Sequence, residues 1–171
     1  MSLRISLVTI SLYCSLYCGA VQAQVGCGLG TVTCAVTTSG LSFGSAYAPF
    51  SGSPADAVAD VDLTCTLVGL LSVCTIPYSI EFDTGGSGSY SAREMSSLGD
   101  VLQYNLYTDP ARSIVWGDGT GATGTVSGSV DFSALLGAVR SANHPAYGRI
   151  PANQAVDEGV YADTLTVTVT Y

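Results

Sequence analysis

The sequence predicts an all-β protein, an antiparallel sandwich of immunoglobulin-like type, and three observations carry that expectation. Apolar and polar residues alternate with period two in several runs. Glycine-rich turns separate those runs. Helical periodicity is almost absent over the 171 residues.

The elements follow in chain order. Residues 1–23 read as a cleaved export signal. Arg4 supplies the positive charge, Ile5 to Cys18 form an apolar stretch, and Val21-Gln22-Ala23 place small or modest side chains at a cleavage site. The stretch is too short, and with Ser6, Thr9, Ser11 and Ser15 too polar, to make a good membrane span. Cleavage is expected after Ala23. Lipid modification at Cys18 is the alternative, disfavoured by the bulky Tyr17 before it. The expected mature form, residues 24–171, is one domain of a size that buries a real core, with no internal repeat.

Within it, Val61, Leu63, Cys65 and Leu67 alternate with Asp62, Thr64 and Thr66. Ile76, Tyr78, Ile80 and Phe82 do the same, as do Leu102, Tyr104 and Leu106. Each run has one face for a core and one for water. Gly85 to Ser89, Gly117 to Gly121 and Asp157 to Gly159 read as turns. A short helix is the expectation for Ser133 to Arg140. The clearest alternation is the last, with Leu165, Val167, Val169 and Tyr171 set against Thr164, Thr166, Thr168 and Thr170. A regular β-branched strand at a sheet edge needs a partner, which is either an earlier strand of the same chain or a strand added by a neighbouring molecule.

Composition excludes several functions. The chain has no lysine, thirteen acids and a net charge of −8. Loss of Arg4 with the signal leaves four arginines. Phosphate binding needs clustered positive charge, so nucleic acid is not an expected partner. No metal and no small-molecule cofactor is expected. The cysteine spacing does not match paired zinc ligands, and His144 is the only histidine. Asp109, Asp118 and Asp163 sit among turn residues, without the D-x-D-x-D-G run of a calcium loop. Nothing resembles a nucleophile elbow, and His144 precedes Pro145 in an expected loop, so no catalytic residue is assigned and no enzyme is expected.

The expected mature form keeps Cys27, Cys34, Cys65 and Cys74. An even number in an exported chain favours disulfides, and four cysteines allow three pairings. Trp116, Tyr104, Tyr107, Tyr147, Tyr161 and Tyr171 read as sheet-packing aromatics, with a sugar-binding platform as the alternative. The run Leu67-Val68-Gly69-Leu70-Leu71-Ser72-Val73 places apolar residues in a strand-to-strand connection. Leu67, Val68, Leu70 and Leu71 are therefore a candidate contact loop, for a partner subunit or a hydrophobic surface, or else a loop folded over the sandwich end.

Six segments together resemble the spore coat protein U domain, shared with subunits of archaic chaperone–usher pili. They are Leu41 to Gly44, Val61 to Cys65, Tyr104 to Asp109, Val115 to Gly119, Tyr147 to Gln154, and Gly159 to Tyr171. The resemblance implies an incomplete immunoglobulin-like antiparallel sandwich, completed by a donor strand from another chain. Leu165, Val167, Val169 and Tyr171 would then line the groove and its edge. It implies disulfides Cys34–Cys65 and, with that pair placed, Cys27–Cys74. It implies a periplasmic chaperone, an outer-membrane usher and neighbouring pilus subunits as partners. The implied function is that of a structural subunit of a surface fimbrium, serving cell adhesion and biofilm formation. A spore-coat-type structural protein and a secreted carbohydrate-binding module are the alternatives. A free donor segment would have to come from Gln24 to Thr33, which carries Gly26, Gly28 and Gly30. A tethered Cys27 would fit a minor or tip-proximal subunit.

Overall fold

The computed structural model describes residues 25–44, 47–50 and 52–171, so the expected export signal lies outside the described residues. Among the described residues, nine strands form two antiparallel sheets. They are β1 (Val25–Cys27), β2 (Gly30–Thr38), β3 (Ala55–Val68), β4 (Ser72–Phe82), β5 (Arg93–Ser97), β6 (Asp100–Tyr107), β7 (Val126–Ala134), β8 (Ala138–Ile150) and β9 (Val167–Thr170). The larger sheet has the order β1-β2-β3-β8-β6-β5 and the smaller one β7-β4-β9. The only helical turn among the described residues is a 3-10 turn at Gly85–Ser87.

The alternating runs become the two central strands. Val61, Leu63, Cys65 and Leu67 on β3 point inward, as do Ile76, Tyr78, Ile80 and Phe82 on β4. They close on Trp116, whose ring packs edge-on to Phe82 at 4.9 Å and whose indole N–H donates to the Ile80 carbonyl at 2.9 Å. Trp116, Tyr104 and Tyr161 are buried, while Tyr107, Tyr147 and Tyr171 are half-buried. Gly148 on β8 leaves room for Leu41 and Phe43 to cross the sheet.

Two expectations are corrected. Ser133 to Arg140 is not helical. Ser133 and Ala134 extend the β7 ladder opposite Val73 and Ser72, and Ala138 to Arg140 begin β8 opposite Leu67 to Cys65. The turn between them brings Gly137 against the Leu67 carbonyl, an approach that any Cβ would block. The final strand is also shorter than its alternation. Only Val167–Thr170 pair with β4, whereas Leu165 is buried in the irregular segment before them.

Candidate functional site: an uncovered groove between β2 and β9

β9 pairs on one side only, with Ser79 to Phe82 of β4. β2 pairs along its length with β3, but β1 covers only Gly30 to Val32 on its other side. From Thr33 onward, the outer edge of β2 therefore faces the outer edge of β9, one from each sheet. No described strand pairs with either edge, although the two strands touch.

Inward-facing side chains along this gap are incompletely covered. Val32 is buried, but Cys34 and Val36 further along β2 pack on the core and stay partly exposed. On the other wall Leu165 is buried and Val167 is 7% exposed, while Val169 and Tyr171 are partly exposed. Apolar residues pointing into a core yet wetted by solvent mark a missing layer of contacts. Unpaired backbone groups beside them add a hydrogen-bonding requirement. Threonines (Thr33, Thr37, Thr168, Thr170) alternate with these residues, and neither wall carries a charged side chain. The chemistry fits an extended peptide with apolar residues at every second position.

Disulfides frame the gap. Cys34 bonds Cys65 directly across the β2–β3 ladder. Cys27 bonds Cys74, tying the short β1 of one sheet to β4 of the other.

A buried polar cluster holds the far end of β4 and the approach to β9. Arg93 is fully buried. Its guanidinium donates twice to the Asp83 carbonyl, at 3.0 and 2.7 Å, and once each to Asn105 Oδ1 and the Trp116 carbonyl, both at 2.7 Å. Burial pulls its pKa down, opposed by the electrostatic influence of Tyr104, Tyr90, Asp83 and Asp163. Asp163 accepts from the Tyr104 hydroxyl at 2.7 Å and from the amides of Gly86 and Thr164. Burial first, and the Asp163 charge second, push the Tyr104 phenol well above its usual range. Asp83 Oδ1 accepts from the Thr166 amide, and the Asp83 amide donates to the Thr166 carbonyl. This cluster fixes the chain just before β9, so the strand enters the groove wall from a rigid base. Sequence reading missed Arg93 and Asp83 entirely.

Of the three aspartates expected among turn residues, Asp163 is instead part of this buried cluster, whereas Asp109 and Asp118 hold turns. Asp109 accepts from the amides of Ser113 and Ile114, and Asp118 from the amide and hydroxyl of Thr120. Among the described residues, no group of three or more potential metal ligands gathers. His144 lies on β8 rather than in a loop and meets the Tyr78 hydroxyl of the opposite sheet at 2.9 Å. Of the candidate contact loop, Leu67 is a buried β3 residue, whereas Val68, Leu70 and Leu71 are exposed around a tight turn.

Fold and site define a class: an all-β antiparallel sandwich with one lateral groove uncovered. The chain belongs to the Spore Coat Protein U domain family, which matches residues 20–168. It is 30% identical over 113 residues to Protein U of Myxococcus xanthus, an alignment covering 65% of this chain and 58% of that protein. Among solved structures it resembles a chaperone–tip adhesion subunit pre-assembly complex from the archaic chaperone–usher Csu pili of Acinetobacter baumannii. The TM-score is 0.49 and the identity 21%, over 82% of this chain and 40% of that one. A chaperone–tip adhesin complex of CFA/I fimbriae biogenesis matches at a TM-score of 0.34 and 12% identity, over 83% and 53% of the two chains. The chain thus spans less than two thirds of the length of each of these relatives.

Proposed function

We infer that this chain is an exported structural subunit of an archaic chaperone–usher surface fibre, built in by donor-strand exchange. The observation that carries this reading is the groove between β2 and β9. Both strand edges are unpaired there, and Val36, Val169 and Tyr171 point inward yet are wetted. A periplasmic chaperone strand fills the gap during transit, and the N-terminal segment of another subunit replaces it at the outer-membrane usher. Each insertion satisfies one backbone ladder and covers alternate apolar side chains. The fibre serves attachment and biofilm formation. Export requires removal of residues 1–23. Cys27 is then held to Cys74 close behind the new N-terminus, so β1 stays in the body of the subunit and the subunit accepts a strand without donating one.

Co-expression with the cognate chaperone tests the reading. The expected product is a soluble one-to-one complex. Val36→Asp and Val169→Asp, which place a charge at the groove, should each abolish it while a surface change such as Thr64→Asp does not. Recovery of the complex at wild-type yield from both groove variants would refute the proposal. The match to the Spore Coat Protein U domain favours a second structural reading, a coat layer on the cell. Normal fibres on cells lacking this chain, together with a defective coat, would favour that reading.

A further inference from the structure

We infer that Arg140 and His144 on β8 are specificity residues for strand insertion. They seal the second flank of the sandwich, between β7 and β8, so that an incoming strand enters only between β2 and β9. This inference rests on the strand-accepting reading above and adds to it what restricts insertion to one groove.

Two flanks of the sandwich carry free strand edges. Among the described residues β7 pairs only with β4, so its outer edge has no ladder from Val126 to Ala134. β8 pairs along one edge with β3, but β6 reaches only Tyr147 to Arg149 on the other. Ala138 to Ala146 are left without a ladder partner on that side. One edge from each sheet is therefore free here, as β2 and β9 are on the opposite flank. Such a pair of edges invites an added strand.

β3 lies between the two flanks and shows both the same inward row. Leu67, Cys65 and Leu63 stand opposite Val32, Cys34 and Val36 on β2, and opposite Ala138, Arg140 and Ala142 on β8. Val61 and Ala59 follow opposite His144 and Ala146. All five β3 residues are buried. The inward positions of β8 thus read Ala, Arg, Ala, His, Ala, where β2 reads Val, Cys, Val. Alanines let the sheets approach closely, and the two polar side chains stand where an inserted strand would pack.

Each polar side chain reaches across to the other sheet. Arg140 Nε donates to the Asp131 carbonyl on β7 at 3.2 Å, and its guanidinium carbon lies 5.9 Å from the centre of the buried Phe132 ring. His144 Nε2 meets the Tyr78 hydroxyl on β4 at 2.9 Å, with the two rings edge-on at 5.6 Å. Gly128 on β7 makes that reach possible, since a Cβ there would collide with the Tyr78 hydroxyl. Pro145 beside His144 has no amide hydrogen to offer a ladder.

The flanks differ in what an incoming strand must displace. Neither wall of the β2–β9 groove carries a charged side chain, and its inward Cys34, Val36, Val169 and Tyr171 are partly exposed. Between β7 and β8 a strand would have to break the Arg140 bond to Asp131, part His144 from Tyr78 and cover a guanidinium with apolar side chains. Burying an unpaired charge costs more than a new ladder returns. Inward-pointing charge and proline are both devices that keep sheet edges from pairing. A subunit open on one flank takes one strand and extends a fibre in line, whereas one open on both would branch.

The test uses the chaperone-bound subunit and a short synthetic peptide of alternating valine and threonine. Native mass spectrometry counts the strands that each subunit holds. The wild type should hold chaperone or peptide, never both. Arg140→Val, alone or with His144→Val, makes the β7–β8 flank apolar. Each variant should raise the species holding both by about tenfold or more, with slowed hydrogen exchange from Val126 to Ala134. A wild-type subunit that holds both at once would overturn the proposal. So would variants that form the chaperone complex yet hold no more peptide than the wild type, or whose extra peptide protects amides elsewhere. If the double variant does not fold, Arg140→Val decides, because Arg140 is exposed and its replacement leaves the core as it was. Failure of the wild type to bind chaperone at all would instead refute the strand-accepting reading, and this inference with it.

Discussion

Replacing Arg93 with Met removes a guanidinium from the middle of the molecule while keeping most of its volume. Two backbone carbonyls, of Asp83 and Trp116, lose their donor, whereas Asn105 Oδ1 keeps the Leu106 amide. A buried acceptor left unpaired costs about 1–3 kcal/mol, so the two together give roughly 2–6 kcal/mol. Removing a buried cation relieves some desolvation, which places the expected loss near the middle, at about 4 kcal/mol. That is a large part of the roughly 5–15 kcal/mol that holds a domain together. The chain has one tryptophan, Trp116, buried beside the cluster, so its fluorescence follows the transition without a label. Urea unfolding of the subunit bound to a tryptophan-free donor peptide should show a midpoint lower by about 2 M, at a slope near 2 kcal/mol per molar. Arg93→Lys should recover less than half of the loss, since one ammonium cannot reach three acceptors in a planar fork. A loss below about 1 kcal/mol for Arg93→Met would refute the claim that this cluster braces the base of β9.

Other outcomes follow from the same geometry. Replacing both cysteines of Cys34–Cys65 with Ala should cost about 3–4 kcal/mol by chain entropy, measurable as a lowered urea midpoint. Gly148→Ala should cost about 1–3 kcal/mol on the same assay, because its Cβ meets Phe43 at 2.8 Å and crowds the buried Leu41. Stability should fall in two stages as pH drops. Burial holds His144 below its ordinary 6.5, so the folded state favours the neutral ring; its contribution is present above 6.5 and is lost as pH falls from there toward the folded value. His144→Gln should flatten that upper stage in urea midpoints taken between pH 7 and 5. The lower stage comes from Asp56, Asp100, Asp109 and Asp118. Their pKa values are lowered by, in turn, Arg149, the Asp157 amide, the Ile114 amide and the Thr120 hydroxyl, and their contributions vanish as pH falls through those values.

Where the sequence alternates, the fold was legible. β3, β4 and β6 have their apolar faces turned in as period two requires, because large side chains at every second position leave no other register. β8 was hidden because its inward positions are small. Ala142, Ala146 and Gly148 make space for residues crossing from elsewhere, so no apolar period appears. Pro145 also argues against a strand, but it lies on a part of β8 that β6 does not reach, where only β3 is a neighbour. The Arg93 cluster left no sequence signature, since an arginine in a polar stretch normally reads as solvated. The exposed leucines of one turn were visible in the run after Cys65. That exposed Leu29 of the β1–β2 turn and Leu135 and Leu136 of the β7–β8 turn lie at the same end of the sandwich is a property of topology, since those turns are more than a hundred residues apart.

The most direct measurement compares the unfolding of the mature chain made alone with that of the same chain bearing an added C-terminal strand of alternating apolar residues on a flexible linker. An uncovered groove predicts that the unmodified chain is marginal or aggregates, and that the added strand yields a soluble monomer with a much higher urea midpoint and protected amides on β9. A mature chain that is already a stable monomer, with β9 amides protected and no gain from the added strand, would contradict the account.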